Sequence, residues 1–479
     1  MPTTHGINVT ELDTSLTTPA VAESGVPFVV GIAPIHSAAS PAAVGAPVRC
    51  NSWSEAVEKL GYFSKDLWGT YTLSEAMFTF FQLYGAGPVI FVNLLDPNTH
   101  KTAVAAANFT VSNHRAALPG GAIIDTGLVV KASASAESAL VKDTDYEVFY
   151  SGDNLIVELL STGSAYSAAS LNIAYNAIDA SAITASTVAT AFEKVELCLT
   201  TLGIVPDILL APGFSQSSSV AAVMAAKAAS INGMFKAVAM IDIDSSGSGA
   251  TSYSAAVTKK GSDSLTDDFQ IVCWPMAKLD GALYHMSTQI AGAMCAVDAD
   301  NEGIPYESPS NKGIKIDSLY LADGSTEVQL TKTQADALNA AGIVTAINFI
   351  NGWVAWGNYM ACYPGNTDVK DYFIPNRRMF NWVANTEVKT FWGQIDRPMT
   401  RRLVDSIINS AEIWMSGLVN SEYLLGARVE FIEDENPDTN IAAGKVKLHN
   451  YLTPPGPMQE LDFVLEYDVA YITAAFSES

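Results

Sequence analysis

Two acidic stretches of the chain place side chains at the spacing with which a calcium-binding loop begins. They are Asp298, Asp300, Glu302 and Gly303, and Asp242, Asp244, Ser246 and Gly247. A calcium loop of this type also needs a bidentate carboxylate at its twelfth position. Pro309 and Tyr253 stand at those positions, so neither stretch has the full ligand set. We therefore predict no metal site and interpret both stretches as solvated loops.

Catalytic chemistry has no stronger support than calcium binding. The six histidines lie far apart in the sequence: His5, His36, His100, His114, His285 and His449. No GxSxG, HExxH or GxxxxGK[ST] motif occurs, so no serine nucleophile, zinc site or phosphate-binding loop is indicated. The five cysteines are scattered and form no CxxC pair, which is typical of buried free thiols. The sequence thus predicts no catalytic residue and no cofactor.

Cations are concentrated in one segment of an otherwise acidic chain. Between positions 377 and 402 the cations are Arg377, Arg378, Lys389, Arg397, Arg401 and Arg402. Against these six, Glu387 and Asp396 leave a net charge of +4, whereas the whole chain carries −24. Several of the arginines stand at predicted helix starts, where the helix dipole disfavours positive charge. Two interpretations stay open: an interface with an acidic partner, or a solvated helix face with intramolecular ion pairs.

Composition limits the classes of protein to which the chain can belong. Of its 479 residues, 49% are hydrophobic and 16% are charged, which is enough apolar sequence for about three domains with packed cores. The net charge argues against nucleic acid or an anionic membrane as the main partner. No apolar run approaches the roughly 18 residues of a membrane span, and no signal-peptide pattern opens the chain. We expect a soluble protein made in a cytoplasm and not inserted in a membrane.

The first 360 residues are predicted to contain the rigid core. Apolar strands alternate with helices over 23–100 and again over 186–360, which is typical of a parallel α/β sheet covered on both faces. Residues 101–185 are rich in Ala, Ser, Thr and Gly, and they contain a predicted hairpin of 145–150 with 155–160. We predict that this segment is an inserted all-β module. Capping boxes mark three helix starts: Ser52, Thr72 and Thr331.

The last third of the chain is predicted to form an α+β domain over 361–457. The predicted fold class is therefore α/β in the central core and α+β for the chain as a whole. Residues 374–393 are predicted to be helical, and Asp396 is predicted to open a long amphipathic helix. Both ends of the chain, 1–22 and 458–479, are predicted to be extended arms. Their alternating apolar residues would form strands whose backbone edges another subunit must pair. The residues of these predicted inter-subunit strands are Val9, Leu461, Phe463, Leu465 and Tyr467.

In the order of these elements the chain resembles the tail sheath proteins of contractile bacteriophage tails and of phage-tail-like particles. The resemblance begins with HGINVTELD (5–13), VPFVVGIAP (26–34), NSWSEAVEKLG (51–61) and TLSEAMFTFFQLYGAGPVIFV (72–92). It continues with NRRMFNWV (376–383), DRPMTRRLVDSIINSAEIWMSGLVNSEYLLGARVEF (396–431) and LHNYLTPPGPMQELDFVLEYD (448–468). It covers both ends and the central α/β region, and it omits the predicted β module.

The resemblance implies a structural protein and not an enzyme. Members of this family stack in sixfold rings around a tail tube, and terminal arms of neighbouring subunits add strands to each C-terminal domain. Contraction drives the tube through the bacterial envelope. The resemblance also implies a subtilisin-like fold for the central domain, without any protease function. The implied partners are further copies of the chain, the tail tube protein, the baseplate and the tail terminator, and no nucleic acid.

In this family an inward-facing helix of the C-terminal domain grips the tube, and the cationic segment falls in the matching part of this chain. The residues predicted to contact the tube are Arg377, Arg378, Arg397, Arg401 and Arg402. The implied location is a virion tail or a phage-tail-like particle, assembled in the cytoplasm of a bacterial host. Two alternatives stay open: an α/β hydrolase with a β accessory module, and a cell-surface carbohydrate-binding protein, against which the missing secretion signal argues.

Overall fold

The computed structural model describes residues 17–472 of the chain. Helices and several separate sheets are mixed along this part of the sequence, which confirms the predicted overall class. No helix among the described residues is long and apolar enough to cross a membrane. The predicted strand around Val9 lies outside the described residues.

The first α/β segment forms five regular elements. They are β1 (Pro27–Gly31), β2 (Pro47–Cys50), α1 (Trp53–Leu60), α2 (Thr72–Met77) and β3 (Val89–Asn93). The predicted cap at Ser52 is confirmed, because its side chain accepts a hydrogen bond from Glu55 N–H at 3.3 Å. The predicted cap at Thr72 is wrong. Thr72 is the first residue of α2, and its hydroxyl accepts from Ile32 N–H at 3.3 Å, which joins the helix to the end of β1.

Residues 101–178 form seven strands in two antiparallel sheets. The strands are β4 (Lys101–Thr110), β5 (Arg115–Pro119), β6 (Ala122–Ile123), β7 (Val129–Lys131), β8 (Tyr146–Ser151), β9 (Asn154–Leu159) and β10 (Ser170–Ile178). In one sheet β10 pairs with β4, β6 and β7, and the other sheet has the order β5-β9-β8. The predicted hairpin is confirmed as β8–β9, in which Tyr146 pairs with Leu159. A separate apolar core, which includes Leu118 and Ile173, lies between the two sheets.

A partly buried histidine joins these two sheets to the first α/β segment. His36 Nε2 lies 2.8 Å from Gly120 O. The rings of Phe63, Tyr71 and Tyr150 surround the imidazole. Burial disfavours the charged imidazole and lowers the pKa of His36 to about 4. The imidazole is therefore neutral near pH 7 and donates its Nε2 proton to the Gly120 carbonyl.

The α/β pattern resumes after this unit. The helices of this second segment are α3 (Ala185–Ala191), α4 (Cys198–Leu202), α5 (Ser218–Ala229), α6 (Tyr253–Ser262), α7 (Met286–Asp300) and α8 (Lys332–Ala340). Its strands are β11 (Ile208–Leu210), β12 (Val238–Asp242), β13 (Gln270–Cys273), β14 (Met276–Leu279), β15 (Ala282–Tyr284), β16 (Ser318–Tyr320), β17 (Glu327–Val328), β18 (Ile343–Phe349) and β19 (Gly352–Trp356). The predicted capping box is confirmed at α8, where the side chains of Thr331 and Gln334 accept from each other's backbone N–H.

An eight-stranded sheet combines the two α/β segments in the order β19-β18-β13-β12-β11-β1-β3-β2. Neighbouring strands from β18 to β3 run parallel, and β19 and β2 are antiparallel at the two edges. One apolar cluster covers each face of this sheet, so the central strands are buried on both sides as predicted. A smaller antiparallel sheet, β15-β14-β16-β17, follows β13 in the chain.

The C-terminal part of the described chain combines helices with a two-stranded sheet. Its elements are α9 (Val369–Tyr372), α10 (Ile374–Phe391), α11 (Arg401–Asn420), β20 (Gly426–Glu430), α12 (Asp438–Ala442) and β21 (His449–Thr453). The predicted start of the long helix at Asp396 is wrong. Asp396 has a φ of +64°, and the side chain of Thr400 caps α11 by accepting from Leu403 N–H at 3.2 Å. A separate apolar core that includes Met379 and Met415 joins α10, α11 and the sheet.

Candidate assembly surfaces

Two of the five arginines predicted to contact a tube are buried. Arg377 and Arg378, near the start of α10, are 7% and 3% exposed. Arg378 Nη1 lies 2.8 Å from Asp298 Oδ1 in α7, and its Nη2 lies 3.0 Å from Asp207 Oδ2 before β11. Arg377 Nη1 lies 2.8 Å from Asp371 Oδ1. The tube-contact prediction is therefore wrong for these two residues, which bind carboxylates inside the chain instead.

The ion pairs of Arg378 explain how positive charge is tolerated near a helix start. Burial disfavours the charged guanidinium, but the carboxylates of Asp298 and Asp207 outweigh burial and raise the pKa of Arg378 above its ordinary value. The guanidinium therefore stays charged. For Arg377 and Arg378 the ion pairs are intramolecular, as the second interpretation had it, but the helix face is buried and not solvated. The pairs of Arg378 fix α10 against the α/β core.

The same geometry corrects the prediction for the acidic stretches. Asp298 and Asp242 are 1% and 3% exposed, so neither residue begins a solvated loop. Asp298 binds Arg378, and Asp242 accepts from Ser287 N–H at 2.9 Å and from the Ser215 hydroxyl at 3.2 Å. In the described part of the chain, no group of three or more His, Cys, Asp or Glu side chains is placed to hold a metal ion. These carboxylates connect elements of the core.

The other three predicted arginines lie on the surface. Arg397 is exposed in the connection between α10 and α11, and Arg401 and Arg402 are exposed in the first turn of α11. Arg401 Nε lies 2.9 Å from Asp405 one turn later, while 77% of the arginine side chain stays exposed. These three side chains are available to a partner, and contact with a tube stays a prediction for them.

Two large apolar side chains, Trp392 and Ile395, lie in the same connection and are 61% and 63% exposed. We call these two residues and the exposed Arg397, Arg401 and Arg402 the connection patch, because all five lie on the surface within residues 392–402. Tryptophan and arginine are the residues most enriched at energetic centres of protein interfaces. The sequence analysis missed Trp392 and Ile395 because an apolar residue near a helix end has the same pattern whether it is buried or exposed.

The C-terminal segment carries large apolar side chains without intrachain cover. Leu461, Phe463, Leu465 and Tyr467 are 64%, 81%, 94% and 80% exposed. Residues 454–468 form no strand with the rest of the described chain, so the predicted alternating strand is not part of an intrachain sheet. Exposed apolar side chains in series mark a site of protein interaction. Pairing of this segment with another subunit stays a prediction.

The two-stranded sheet next to this segment is open on both sides. β20 and β21 pair from Gly426 with Thr453 to Glu430 with His449, and no third strand of the described chain pairs with either. One face of this sheet, with Val429, packs on α11 in the C-terminal core. Unpaired strand edges present N–H and C=O groups that another chain can pair. The sheet thus offers two edges for an added strand.

The hydrolase alternative requires a nucleophile beside a base. His285 Nδ1 lies 2.7 Å from Glu75 Oε2. Burial opposes charge on the imidazole, but the Glu75 carboxylate outweighs burial and raises the pKa of His285 to about 9, so the ring is protonated near pH 7. Among the described residues, no histidine ring nitrogen hydrogen-bonds to a serine, threonine or cysteine side chain. All five cysteines are buried free thiols, as predicted.

Sequence comparison relates the chain to a phage protein over nearly its whole length. No protein-family model matches the chain. The chain is 26% identical over 493 residues to the tail sheath protein of Burkholderia phage BcepMu, with 98% of this chain and 97% of the phage protein covered. The chain is thus similar to a phage tail sheath protein along nearly its whole length. It is also 24% identical to the tail sheath protein of Escherichia phage P2, over 40% of this chain and 46% of the phage protein.

Solved structures of contractile sheaths share the fold of this chain. The sheath of an extracellular contractile injection system, PVC, in its contracted state has a TM-score of 0.59 at 14% identity, covering 98% of this chain and 99% of that one. The contracted helical sheath of the anti-feeding prophage has a TM-score of 0.58 at 15% identity, covering 98% and 100%. The mixed α and β architecture with several sheets is therefore a sheath fold.

Proposed function

We propose that this chain is a structural subunit of a contractile tail sheath, which polymerises helically around a tail tube and contracts to drive the tube through a bacterial envelope. The observation that carries this function is the alignment with a phage tail sheath protein along 98% of the chain. The chain is accordingly proposed to be non-enzymatic and to need no cofactor.

The C-terminal segment of one copy is proposed to add a strand to the β20–β21 sheet of another copy. In a strand Leu461, Phe463 and Leu465 share one face, and Asp462 lies on the other. Full burial of a large apolar side chain contributes about 1.5–3 kcal/mol, which offsets the entropy lost when the segment becomes ordered. The N-terminal arm around Val9 is proposed to pair with another copy in the same way.

The connection patch is proposed to contact the tail tube protein. Three exposed arginines on a chain of net charge −24 favour an acidic partner surface. Exposed ion pairs contribute only about 0–1 kcal/mol each, and burial of Trp392 and Ile395 would add an apolar contribution. Contacts of this strength repeated over many copies hold a tube while each single contact can still be released. High salt should weaken this attachment, because exposed charges are screened beyond roughly 8–10 Å.

We propose a division of the chain that follows its separate apolar cores. The central domain, for which we propose a subtilisin-like fold, combines residues 23–100 and 186–360 around the eight-stranded sheet. Residues 101–185 are proposed to be an inserted β module, and residues 361–457 a C-terminal α+β domain. The proposed arms are residues 1–22 and 458–479.

The particle is proposed to contain further partners. A structure with a TM-score of 0.56 to this chain, at 15% identity, comes from the six-fold symmetrised baseplate of the anti-feeding prophage. We propose that this chain likewise stacks in sixfold rings and meets a baseplate at one end of the sheath and a tail terminator at the other. Its proposed location is a virion tail or a phage-tail-like particle, assembled in the cytoplasm of a bacterial host.

Negative-stain electron microscopy of the purified full-length chain tests the proposed polymerisation. We expect sleeves or tubes of stacked rings. The variant F463S/L465S should form none, because it removes apolar contacts of the added strand. A matched control is F349S/I350S in the tip of the β18–β19 hairpin, whose side chains are 53% and 84% exposed. Discrete particles from the unmodified chain at all concentrations, or equal loss of tubes in both variants, would contradict the proposal.

A further inference from the structure

An extended segment, residues 17–26, runs along α10 before the chain enters β1, and we call it the strap. It forms no helix and no strand. At its first residue, Thr17 N–H donates to Ser410 Oγ in α11 at 2.9 Å. At its last residue, Val26 N–H donates to Asp207 Oδ1 at 2.7 Å. The strap is thus tied to the C-terminal helices at one end and to the α/β core at the other.

Side chains of α10 hold the middle of the strap by its backbone. Ala22 N–H donates to Thr386 Oγ1 at 3.0 Å, and Ala20 N–H donates to Thr390 Oγ1 at 2.9 Å. Trp382 Nε1 donates to Ala22 O at 2.8 Å. Ala22 and Thr386 are 6% and 0% exposed, so the hydrogen bond between them is shielded from water. Backbone groups that would otherwise need a strand partner are satisfied by a helix instead.

Four side chains that recur every four residues along α10 form a stripe that serves the strap. They are Arg378, Trp382, Thr386 and Thr390. Lys389, also in α10, donates to Val21 O at 3.2 Å. Four residues of α-helix advance about 6 Å, and two residues of extended chain advance about 6.7 Å. The step from Thr386 to Thr390 therefore matches the step from Ala22 back to Ala20. Just after α10, Gln394 Nε2 donates to Thr17 Oγ1 at 3.2 Å, at the first residue of the strap. At the last residue of the strap, Arg378 acts through Asp207, which binds both Arg378 and Val26 N–H.

We propose that Thr386 and Thr390 are positioning residues for assembly: they fix the base of the proposed N-terminal arm, residues 17–22, along α10. This inference rests on the proposed sheath function and adds that an intrachain stripe of α10 sets the geometry of the N-terminal arm. A buried N–H without an acceptor is costly, so loss of the two hydroxyls loosens the middle of the strap, while its two ends stay bound. A loosened strap lowers the effective concentration of the arm at a neighbouring subunit.

The variant T386V/T390V tests the inference, since valine keeps the shape of threonine and removes the acceptor. T386S/T390S restores the hydroxyls. Thr258→Val is the matched control, because the Thr258 hydroxyl bonds to a carbonyl of its own helix, Ser254 O, at 3.1 Å. The readouts are hydrogen exchange of the Ala20 and Ala22 amides and the protein concentration at which tubes form. The valine pair should lower amide protection and raise that concentration by about tenfold each, as expected for one or two lost hydrogen bonds. The serine pair and Thr258→Val should resemble the unmodified chain.

Unchanged amide protection in the valine variant would overturn the strap assignment. Lost protection with unchanged tube formation would overturn the positioning role. If the unmodified chain forms no tubes, the proposed sheath function fails, while the exchange of the two amides still decides whether Thr386 and Thr390 hold the strap. If the valine pair does not fold, Ala20→Pro removes one donor from the strap itself and leaves α10 intact. It should raise the tube-forming concentration, and an unchanged concentration would contradict the inference.

Discussion

Arg378→Met should destabilise the chain strongly, although methionine is a good helix former and has a shape similar to the aliphatic part of the arginine side chain. Arg378 is 3% exposed and faces Asp298, which is 1% exposed. Removing one partner of a buried ion pair costs about 3–5 kcal/mol, because the other charge stays buried without compensation. For a folding unit of 150–250 residues, about 1 kcal/mol corresponds to about 2–4 °C in melting temperature. We therefore expect the transition of the α/β core to shift down by roughly 6–20 °C.

The measurement is thermal unfolding followed by circular dichroism and by tryptophan fluorescence. Arg402→Met is the matched control, since Arg402 is exposed, and an exposed substitution changes stability by less than about 0.5 kcal/mol. A second variant, R378M/D298L, removes the two most deeply buried charges and leaves Asp207, whose side chain is 13% exposed and which still accepts from Val26 N–H. Replacing a whole buried ion pair by apolar residues is close to neutral, so this variant should regain more than half of the lost stability.

Two results would refute this reasoning. The first is equal melting temperatures for Arg378→Met and Arg402→Met, which would mean that the guanidinium does not compensate a buried carboxylate. The second is an R378M/D298L variant as unstable as the sum of its single substitutions. Additivity would show that the two side chains are energetically independent, contrary to their contact.

Three further predictions concern other parts of the chain. Deleting residues 458–479 should leave a folded chain that forms no tubes in negative stain, and normal tubes from it would exclude the proposed strand exchange. R401E/R402E should form sheaths that fail to bind tubes in a co-sedimentation assay, whereas unchanged binding would remove the tube role of the connection patch. Because burial lowers the pKa of His36 to about 4, stability should fall as pH drops from about 6.5 to 4, by up to about 3 kcal/mol. His36→Phe should reduce this acid sensitivity in denaturant titrations. An equal loss of stability at low pH in the variant and the unmodified chain would mean that another group causes it.

Much of the fold could be predicted from the sequence because its signals are local. Near-continuous apolar runs such as 26–34 and 237–244 identify strands covered on both faces, and the structure places both in the parallel sheet, with β11 between them. Alternation predicts the β8–β9 hairpin, and a capping box predicts the start of α8. These patterns depend on neighbours a few residues away, so they can be interpreted without the tertiary structure.

The sequence by itself determined that the chain combines a covered parallel sheet with cationic C-terminal helices, and it placed apolar alternation near the C-terminus. Only the tertiary structure decided which charges and apolar side chains are buried. Arg378 meets carboxylates 80 and 171 residues away, and Arg402, 24 positions further along the chain, is exposed. Trp392 has the pattern of a core residue but stays on the surface. The physical reason is that burial of a side chain depends on distant elements that pack against it, and no local pattern records them.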